Sequence, residues 1–348
     1  MTQYLIRRIL WLVPVLFVIS LVTFIIMHAT PGGPFDLDPT KTSEQIVKRL
    51  EESFGLNKPL FLNTASFQET LAQSRNWLEA IPQLFDAQFE NYLGSLLRGD
   101  LGPSYRFRGR QVNEIIFQPL AGRPIWESRI GTTAVLGILA LLYALALGLP
   151  LGVLAALRQN SWVDHLCLFI ATVGYGIPNF VLSIFLIIIL AVWLDLVKVI
   201  ELDYWSRWQP WVLPTLVLGT PTGAFLTRLT RASMLEVMRM DYVRTARAKG
   251  LMERLVVLRH MLRNALIPVA TYVGPALAGL VTGSFIIESQ FLVTGIGRLF
   301  VESIFRRDYT IIMALTLLYA LLVALANLGV DLVYVLLDPR IKLGKRGG

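Results

Sequence analysis

The stretch IGTTAVLGILALLYALALGLPLGVLAAL, residues 130–157, contains no charged side chain. A bilayer core of about 30 Å requires about 20 helical residues, and a helix satisfies its backbone hydrogen bonds within itself. The stretch is therefore predicted to cross a membrane as a helix. Five other stretches also lack Asp, Glu, Lys and Arg and carry the same prediction: residues 9–30, 165–194, 209–227, 264–287 and 310–330.

The composition favours a membrane protein over a soluble one. Hydrophobic residues make up 55% of the 348 residues, charged residues make up 16%, and the mean hydropathy is +0.59. These values lie outside the range of ordinary soluble domains. The predicted fold is an all-α membrane protein with six transmembrane helices, of which the long second and third are expected to tilt, kink or extend into the interface. Its predicted parts are an N-terminal segment with the first helix (1–30), a small helical extracytoplasmic region (31–129) and a membrane core (130–348).

The distribution of Lys and Arg predicts how the chain is oriented. With a cytoplasmic N-terminus, the inner segments carry 16 of these residues and the short outer connections carry five. The positive-inside rule then places both termini in the cytoplasm. The net charge of +8 is explained by this orientation and by contact with anionic lipid headgroups, without nucleic acid. The inner segments are residues 1–8, 158–164, 228–263 and 331–348, and the short outer connections are residues 195–208 and 288–309.

Neither a catalytic nor a metal-binding pattern is found in the sequence. The three histidines, His28, His165 and His260, lack the spacing of metal ligands. A recognisable Ser/His motif and the H-E-x-x-H motif are both absent. Cys167 lies within a predicted span and is interpreted as a small buried hydrophobic residue. We therefore expect no catalytic residue and no metal site.

The segment DYVRTARAKGL, residues 241–251, places three cations, two alanines and a glycine between two apolar stretches. Its residues favour a helix, with Tyr242, Val243 and Ala246 at helical spacing, and Gly250 allows the backbone to turn. One interpretation is that the cations only fix the topology. The other is that small side chains beside cations form a docking surface for a cytoplasmic partner.

Several motifs give the whole chain a family resemblance. YVRTARAKGL followed by RHMLRNALIPV closely resembles the cytoplasmic EAA-type loop of ABC importer permeases, in the form carried by the oligopeptide and dipeptide permease family. YLIRRIL, PGGP, FGLNKPL, GDLGPS, GYGIPNF and DPRI occur in the order and spacing typical of that family. Two departures from the general EAA consensus, Arg244-Thr245-Ala246 in place of Glu-Ala-Ala and only Leu262 kept from the I-x-L-P ending, are usual in the peptide-permease branch.

The resemblance implies a type I ABC importer-like permease in a bacterial or archaeal cytoplasmic membrane. It implies four partners: a second related permease subunit, two cytoplasmic ATPase subunits and an extracytoplasmic solute-binding protein. The chain has no G-x-x-x-x-G-K-[ST] loop, so ATP and Mg would be bound by the ATPases and this chain would hold no cofactor. Within a coupling loop at 228–263, the ATPase contacts would come from Asp241, Tyr242, Arg244, Thr245, Ala246, Arg247, Ala248, Lys249 and Gly250.

Polar and small residues inside the predicted spans suggest a translocation path. GYGIPNF and LGTPTGAF bring glycine, proline and threonine into the third and fourth stretches, where they suit either a polar path or close helix packing. The candidate path residues are Gly174, Gly176, Pro178, Asn179, Thr220 and Thr222.

Two further questions stay open at the level of sequence. Asp331, Asp338 and Arg340 near the end of the chain are interpreted as structural, with Asp331 paired to a basic residue of another helix, while proton transfer is the minority alternative. Residues 31–129 form either a simple helical cap or a docking surface for an extracytoplasmic partner.

The alternative function is an ion-coupled secondary transporter, but the six apolar stretches contain none of the Asp, Glu, Lys or Arg expected of one.

Overall fold

The computed structural model describes residues 2–35, 44–74, 77–107, 109–119, 122–197 and 204–337. Regular secondary structure within these ranges is helical. The first helices are α1 (Thr2–Ala29), α2 (Glu44–Ser53), α3 (Thr64–Ser74), α4 (Trp77–Leu84), α5 (Gln88–Leu97) and α6 (Val112–Phe117). The others are α7 (Arg129–Leu157), α8 (Trp162–Gly176), α9 (Asn179–Leu186), α10 (Gln209–Met238), α11 (Asp241–Ala248), α12 (Glu253–Leu255), α13 (Leu262–Ala265), α14 (Ile267–Val281), α15 (Phe285–Gln290), α16 (Ile296–Arg306) and α17 (Tyr309–Leu337). Two π-helical segments, Ile187–Trp193 and Val256–Met261, follow α9 and α12.

Helices long and apolar enough to cross a membrane coincide with most of the predicted stretches. Within the described ranges there are three such helices, or up to five spans if each of two bent pairs counts as one. The stretch 209–227 lies in α10, which is 30 residues long but is not among these spans. Its prolines and threonines make it less apolar than the others. The six-helix count therefore stays a prediction.

The third predicted stretch is broken into two helices, which is a sharper change of direction than the tilt or kink expected from its length. α8 and α9 meet at an angle of 112°. The break lies at Ile177, whose backbone is extended (ψ 126°), because a following proline disfavours the helical conformation. The fifth stretch is bent by 52° between α13 and α14. It also ends earlier than residue 287: α14 stops at Val281 and Gly283 turns the chain with a φ of +83°.

The chain folds as two compact units. The first consists of the described residues of Met1–Ile9, Pro119–Leu299 and Leu321–Gly348, and the second of those of Leu10–Gln118 and Phe300–Ala320. The first unit contains α7 to α15, and the second contains α2 to α6. α1, α16 and α17 each contribute residues to both units.

Close contact between α7 and α10 forms the centre of the first unit. Gly148 and Gly152 of α7, and Gly219 and Gly223 of α10, are each separated by three residues, the small-xxx-small pattern that lets membrane helices approach closely. A Cβ atom at Gly148 would lie 2.7 Å from the Gly223 carbonyl oxygen. One at Gly219 would lie 2.5 Å from the carbonyl oxygen of Ala140. The two helix backbones are therefore in contact where these glycines lie.

The second unit has an aromatic core and a buried carboxylate, that of Asp308. Phe24, Phe89 and Tyr309 pack together there. Asp308 is 1% exposed and accepts hydrogen bonds from the Ser104 hydroxyl group (2.5 Å) and from the backbone of Arg106 (3.1 Å). It also accepts one from the Ile311 amide in the first turn of α17 (3.3 Å). This carboxylate therefore fixes the loop before α6 against the start of α17.

Candidate functional site

The segment predicted to contact a partner folds as the short helix α11. Asp241 lies in its first turn and Arg247 in its last, which are favourable positions for their charges beside the helix dipole. The helix ends because Gly250 adopts a φ of +74°, a left-handed conformation that favours glycine. The amides of Lys249 and Gly250 then bond the Thr245 and Arg247 carbonyl groups at 3.0 and 2.9 Å.

One face of α11 is anchored in the hydrophobic core of the first unit. Val243 is fully buried and Ala246 is 5% exposed. Both pack in a cluster with Met234 of α10 and with Val256 and Met261 of the π-helical segment. The Tyr242 hydroxyl group also accepts a hydrogen bond of 2.8 Å from the Asn264 side chain. α11 is thus held by residues on both sides of it in the sequence.

The opposite face of α11 is exposed. The sequence predicts Ala246 as one of nine ATPase-contact residues, but this prediction is wrong for its side chain. Ala246 packs inward and positions the helix. Its burial follows from the three-residue spacing to Val243, which places the two on one side of a helix. The other eight candidate residues are exposed: Asp241, Tyr242, Arg244, Thr245, Arg247, Ala248, Lys249 and Gly250.

The three cations of the segment differ in their local partners. Arg247 forms a two-bond ion pair with Glu253, with distances of 3.0 and 2.6 Å. Arg244 lies 3.6 Å from the exposed carboxylate of Asp241. The Lys249 ammonium group has no hydrogen bond or ion pair with any residue that the structure describes. Arg244 and Lys249 are therefore the cations most available to a partner.

An ion pair between α8 and α10 was not foreseen from the sequence. Arg231 donates to both carboxylate oxygens of Asp164, at 2.6 and 2.7 Å, and Asp164 is 1% exposed. Asp164 also accepts from the Asn160 amide (2.9 Å), while Ser161 caps the start of α8. The Ser161-x-x-Asp164 spacing of a capping box indicates where α8 begins, but it does not indicate that Arg231 is the partner of Asp164.

The structure brings only some of the candidate path residues together. Gly174 is buried against α10, where its Cβ position would lie 3.0 Å from the methyl group of Thr220. Thr220 also lies 3.4 Å from the Tyr143 hydroxyl oxygen. Gly176 has no atom within 4 Å of its Cβ position, and it lies with Pro178 and Asn179 at the break between α8 and α9. Thr222 is partly exposed on α10.

The candidate residues near the C-terminus lie at the limit of the described structure. Asp331 belongs to the backbone of α17, and its side chain lies outside the description. Asp338 and Arg340 fall outside the described residues altogether. The interpretation of these three as structural therefore stays a prediction.

Glu288 is a second feature that the sequence did not indicate. It follows the fifth predicted span and is fully buried. Its carboxylate accepts from the Thr133 hydroxyl group (3.1 Å) and from the amides of Gly297 (2.8 Å) and Arg298 (3.3 Å) at the start of α16. Burial raises the pKa of Glu288 to about 7, although these donors oppose the rise. Glu288 thus joins α15, α7 and α16 through one titratable group.

We expect the stability of the first unit to fall as pH rises from about 4.5 to about 7. In that window the folded protein holds a proton on Glu288 that the unfolded chain has released, so the free energy of unfolding decreases with pH. The slope should reach about 1.4 kcal/mol per pH unit. Thermal unfolding of the purified protein at several pH values measures it. Glu288→Gln should remove the slope, while Glu236→Gln on the exposed side of α10 should keep it; equal slopes in both variants would contradict the assignment.

In the part of the chain that the structure describes, no three His, Cys, Asp or Glu side chains come together in a way that could hold a metal ion.

Comparison of the sequence with known proteins identifies its family. Residues 148–343 match the family described as binding-protein-dependent transport system inner membrane component, and residues 1–93 match the N-terminal part of such membrane components. The dipeptide transport system permease protein DppB of Bacillus subtilis (strain 168) is 38% identical over 347 residues, covering 100% of both chains. The oligopeptide permease AppB of the same organism is 36% identical over 98% of this chain and 100% of its own length. The oligopeptide permease OppB of Escherichia coli (strain K12) is 33% identical with the same coverage. The chain therefore belongs to the family of binding-protein-dependent transport system inner membrane components.

Proposed function

We propose that this chain is the permease subunit of an ATP-driven importer of peptides and forms half of its translocation path. Its relatives over the full length are named as dipeptide and oligopeptide permeases, which supports a peptide as the substrate. The observation that carries the proposal is α11, a basic helix whose buried face is fixed in the core and whose other face is free to bind.

The proposed topology has six spans with both termini in the cytoplasm. α10 forms the fourth span, although its hydropathy is modest. It is long enough to cross a membrane, and it packs tightly on α7. The excess of Lys and Arg in the inner segments supports this orientation. Residues 31–129 then lie outside the cytoplasm and meet the solute-binding protein, and residues 130–348 form the membrane core.

The coupling mechanism follows from how α11 is held. Arg244 and Lys249 bind acidic groups of the ATPase, and Ala248 and Gly250 let its surface approach closely. Val243 and Ala246 connect α11 rigidly to the core beneath it. Closure of the two ATPases on ATP moves α11 and, through this contact, tilts α8, α10 and α14, so the path opens alternately on either side.

The assembly that this function requires contains several chains. A second, related permease completes the path, two cytoplasmic ATPase subunits bind ATP and Mg, and a solute-binding protein delivers the substrate. This chain holds no cofactor and hydrolyses no ATP.

An ion-coupled secondary transporter is the alternative function. It would be established if this chain alone took up substrate when driven by a proton gradient.

The ATPase contact is tested by adding bulk to α11 where the backbone is unstrained. Ala248→Trp should reduce both copurification of the ATPases and ATP-dependent peptide uptake at least about tenfold, because the indole keeps the two surfaces apart. Arg244→Glu should act in the same direction by repelling acidic groups.

The controls separate docking from folding. Gly250→Asn should keep the turn, because asparagine tolerates a positive φ, so a loss of ATPase copurification in this variant would come from the added side chain and not from unfolding. Gln159→Trp, on another exposed turn predicted to be cytoplasmic, should have no effect. If Ala248→Trp left ATPase copurification and uptake at the wild-type level, α11 would not be the docking element.

A further inference from the structure

Arg228 on α10 is a half-buried cation with no anionic partner among the residues that the structure describes. Its Nε atom is buried and has no hydrogen-bond partner among the described residues. No described carboxylate forms an ion pair with it. Its guanidinium carbon lies 4.6 Å from the ring centroid of Tyr175 on α8. A cation–π contact stabilises the charge without neutralising it.

The guanidinium group of Arg228 lies at the depth of an apolar stretch. Tyr175 is eleven residues beyond Asp164 along α8, which corresponds to about 17 Å of helix. Arg231, only three residues after Arg228, reaches back to Asp164 near the start of α8. The two side chains therefore diverge: Arg231 is paired at the start of α8, and Arg228 is directed to the end of α8, beside the break at Ile177.

The face of α10 that carries Arg228 also carries Thr220, a candidate path residue, and it contacts Gly174, a second one. Thr220, Ala224 and Arg228 recur every four residues and so share one face of α10. Gly174 packs on this face, with its Cβ position 3.0 and 3.5 Å from the methyl carbons of Thr220 and Ala224. Tyr175 is 55% exposed in the isolated chain. A charged side chain at this depth is unfavourable against lipid, so the face is expected to border a polar cavity.

We propose that Arg228 binds the carboxylate of the substrate during transport, which makes it a specificity-determining residue. A guanidinium group presents a planar fork of donors that matches a carboxylate. The Tyr175 ring lies beside the guanidinium group, and the Nε atom has no hydrogen-bond partner among the described residues. The inference rests on the proposed function, since every peptide with a free C-terminus carries such a carboxylate.

The test compares two substrates: a peptide with a free C-terminal carboxylate and the same peptide with a C-terminal amide. The peptide is one that the isolated solute-binding protein binds in both forms. Uptake is measured in proteoliposomes containing the complete transporter. Arg228→Gln should lower the rate for the free acid about tenfold, the effect of losing one charge-assisted hydrogen bond, and the rate for the amide less than about twofold. Arg228→Lys should fall between, because it keeps the charge and loses the fork.

The remaining measurements separate this role from others. Arg158→Gln, an exposed cation at the end of α7, should change neither rate. Binding-protein-stimulated ATP hydrolysis should persist in Arg228→Gln and Arg228→Lys, which shows that both variants are folded and coupled.

Equal loss of the transport rate for both peptides, as expected from a contact with lipid headgroups or a structural role, would overturn the proposal, and so would unchanged rates. A wild-type transporter that moved neither peptide would refute the peptide function itself, and the assignment of Arg228 would fall with it.

Discussion

Replacing Gly152 with leucine is expected to prevent the first unit from folding. A Cβ atom at this position would lie 2.6 Å from the Thr227 carbonyl oxygen and 2.6 Å from the Cβ atom of Thr230. The carbonyl group belongs to a helix backbone, so it cannot turn aside as a flexible side chain could. Adding volume to a packed core costs about 1–3 kcal/mol even where side chains can adjust, so we expect a loss above about 3 kcal/mol here.

The measurement is the yield of monodisperse protein in detergent, together with its thermal unfolding temperature. Gly279→Leu on α14 is the matched control, because Gly279 is exposed and has no atom within 4 Å of its Cβ position. It should give nearly wild-type yield. A Gly152→Leu protein that unfolded at the wild-type temperature would show that α7 and α10 do not pack through these glycines.

Removing the carboxylate of Asp164 should destabilise the folded protein by about 3 kcal/mol. Breaking a buried ion pair by removing one partner costs about 3–5 kcal/mol, because the other charge stays buried without compensation. The side chain of Arg231 keeps 20% of its surface exposed, which places the loss at the lower end. The variant is Asp164→Ala, and the measurement is its free energy or temperature of unfolding relative to wild type.

Two comparisons identify the cause of this loss. In the double variant Asp164→Leu/Arg231→Met both charges are absent, and at least half of the lost stability should return. Asp241→Ala removes the same carboxylate from an exposed pair and should change the free energy of unfolding by less than about 0.5 kcal/mol. Equal losses in Asp164→Ala and Asp241→Ala would rule out a special contribution from the buried pair.

Particular elements show how much could be predicted from the sequence. The unbroken spans were predictable, because a long apolar run in a bilayer must satisfy its backbone hydrogen bonds as a helix. The break before Pro178 was predictable, because proline disfavours the helical conformation of the residue that precedes it. The helical character of 241–248 was predictable from spacing, whereas the inward orientation of Ala246 also required knowing which face the core would cover. Asp164–Arg231 and the contacts of Glu288 were not predictable, because their partners lie far apart in the chain and pair only after the helices pack.

The sequence by itself determined that this is a helical membrane protein of the permease family, because hydrophobic length, charge bias and motif order are properties of the chain alone. Only the tertiary structure decided which charges are neutralised. Arg231 and Arg228 are three residues apart on one helix and look equivalent in the sequence. Packing of α8 against α10 places a carboxylate beside Arg231 and a tyrosine ring beside Arg228, and electrostatic energy depends on those distances.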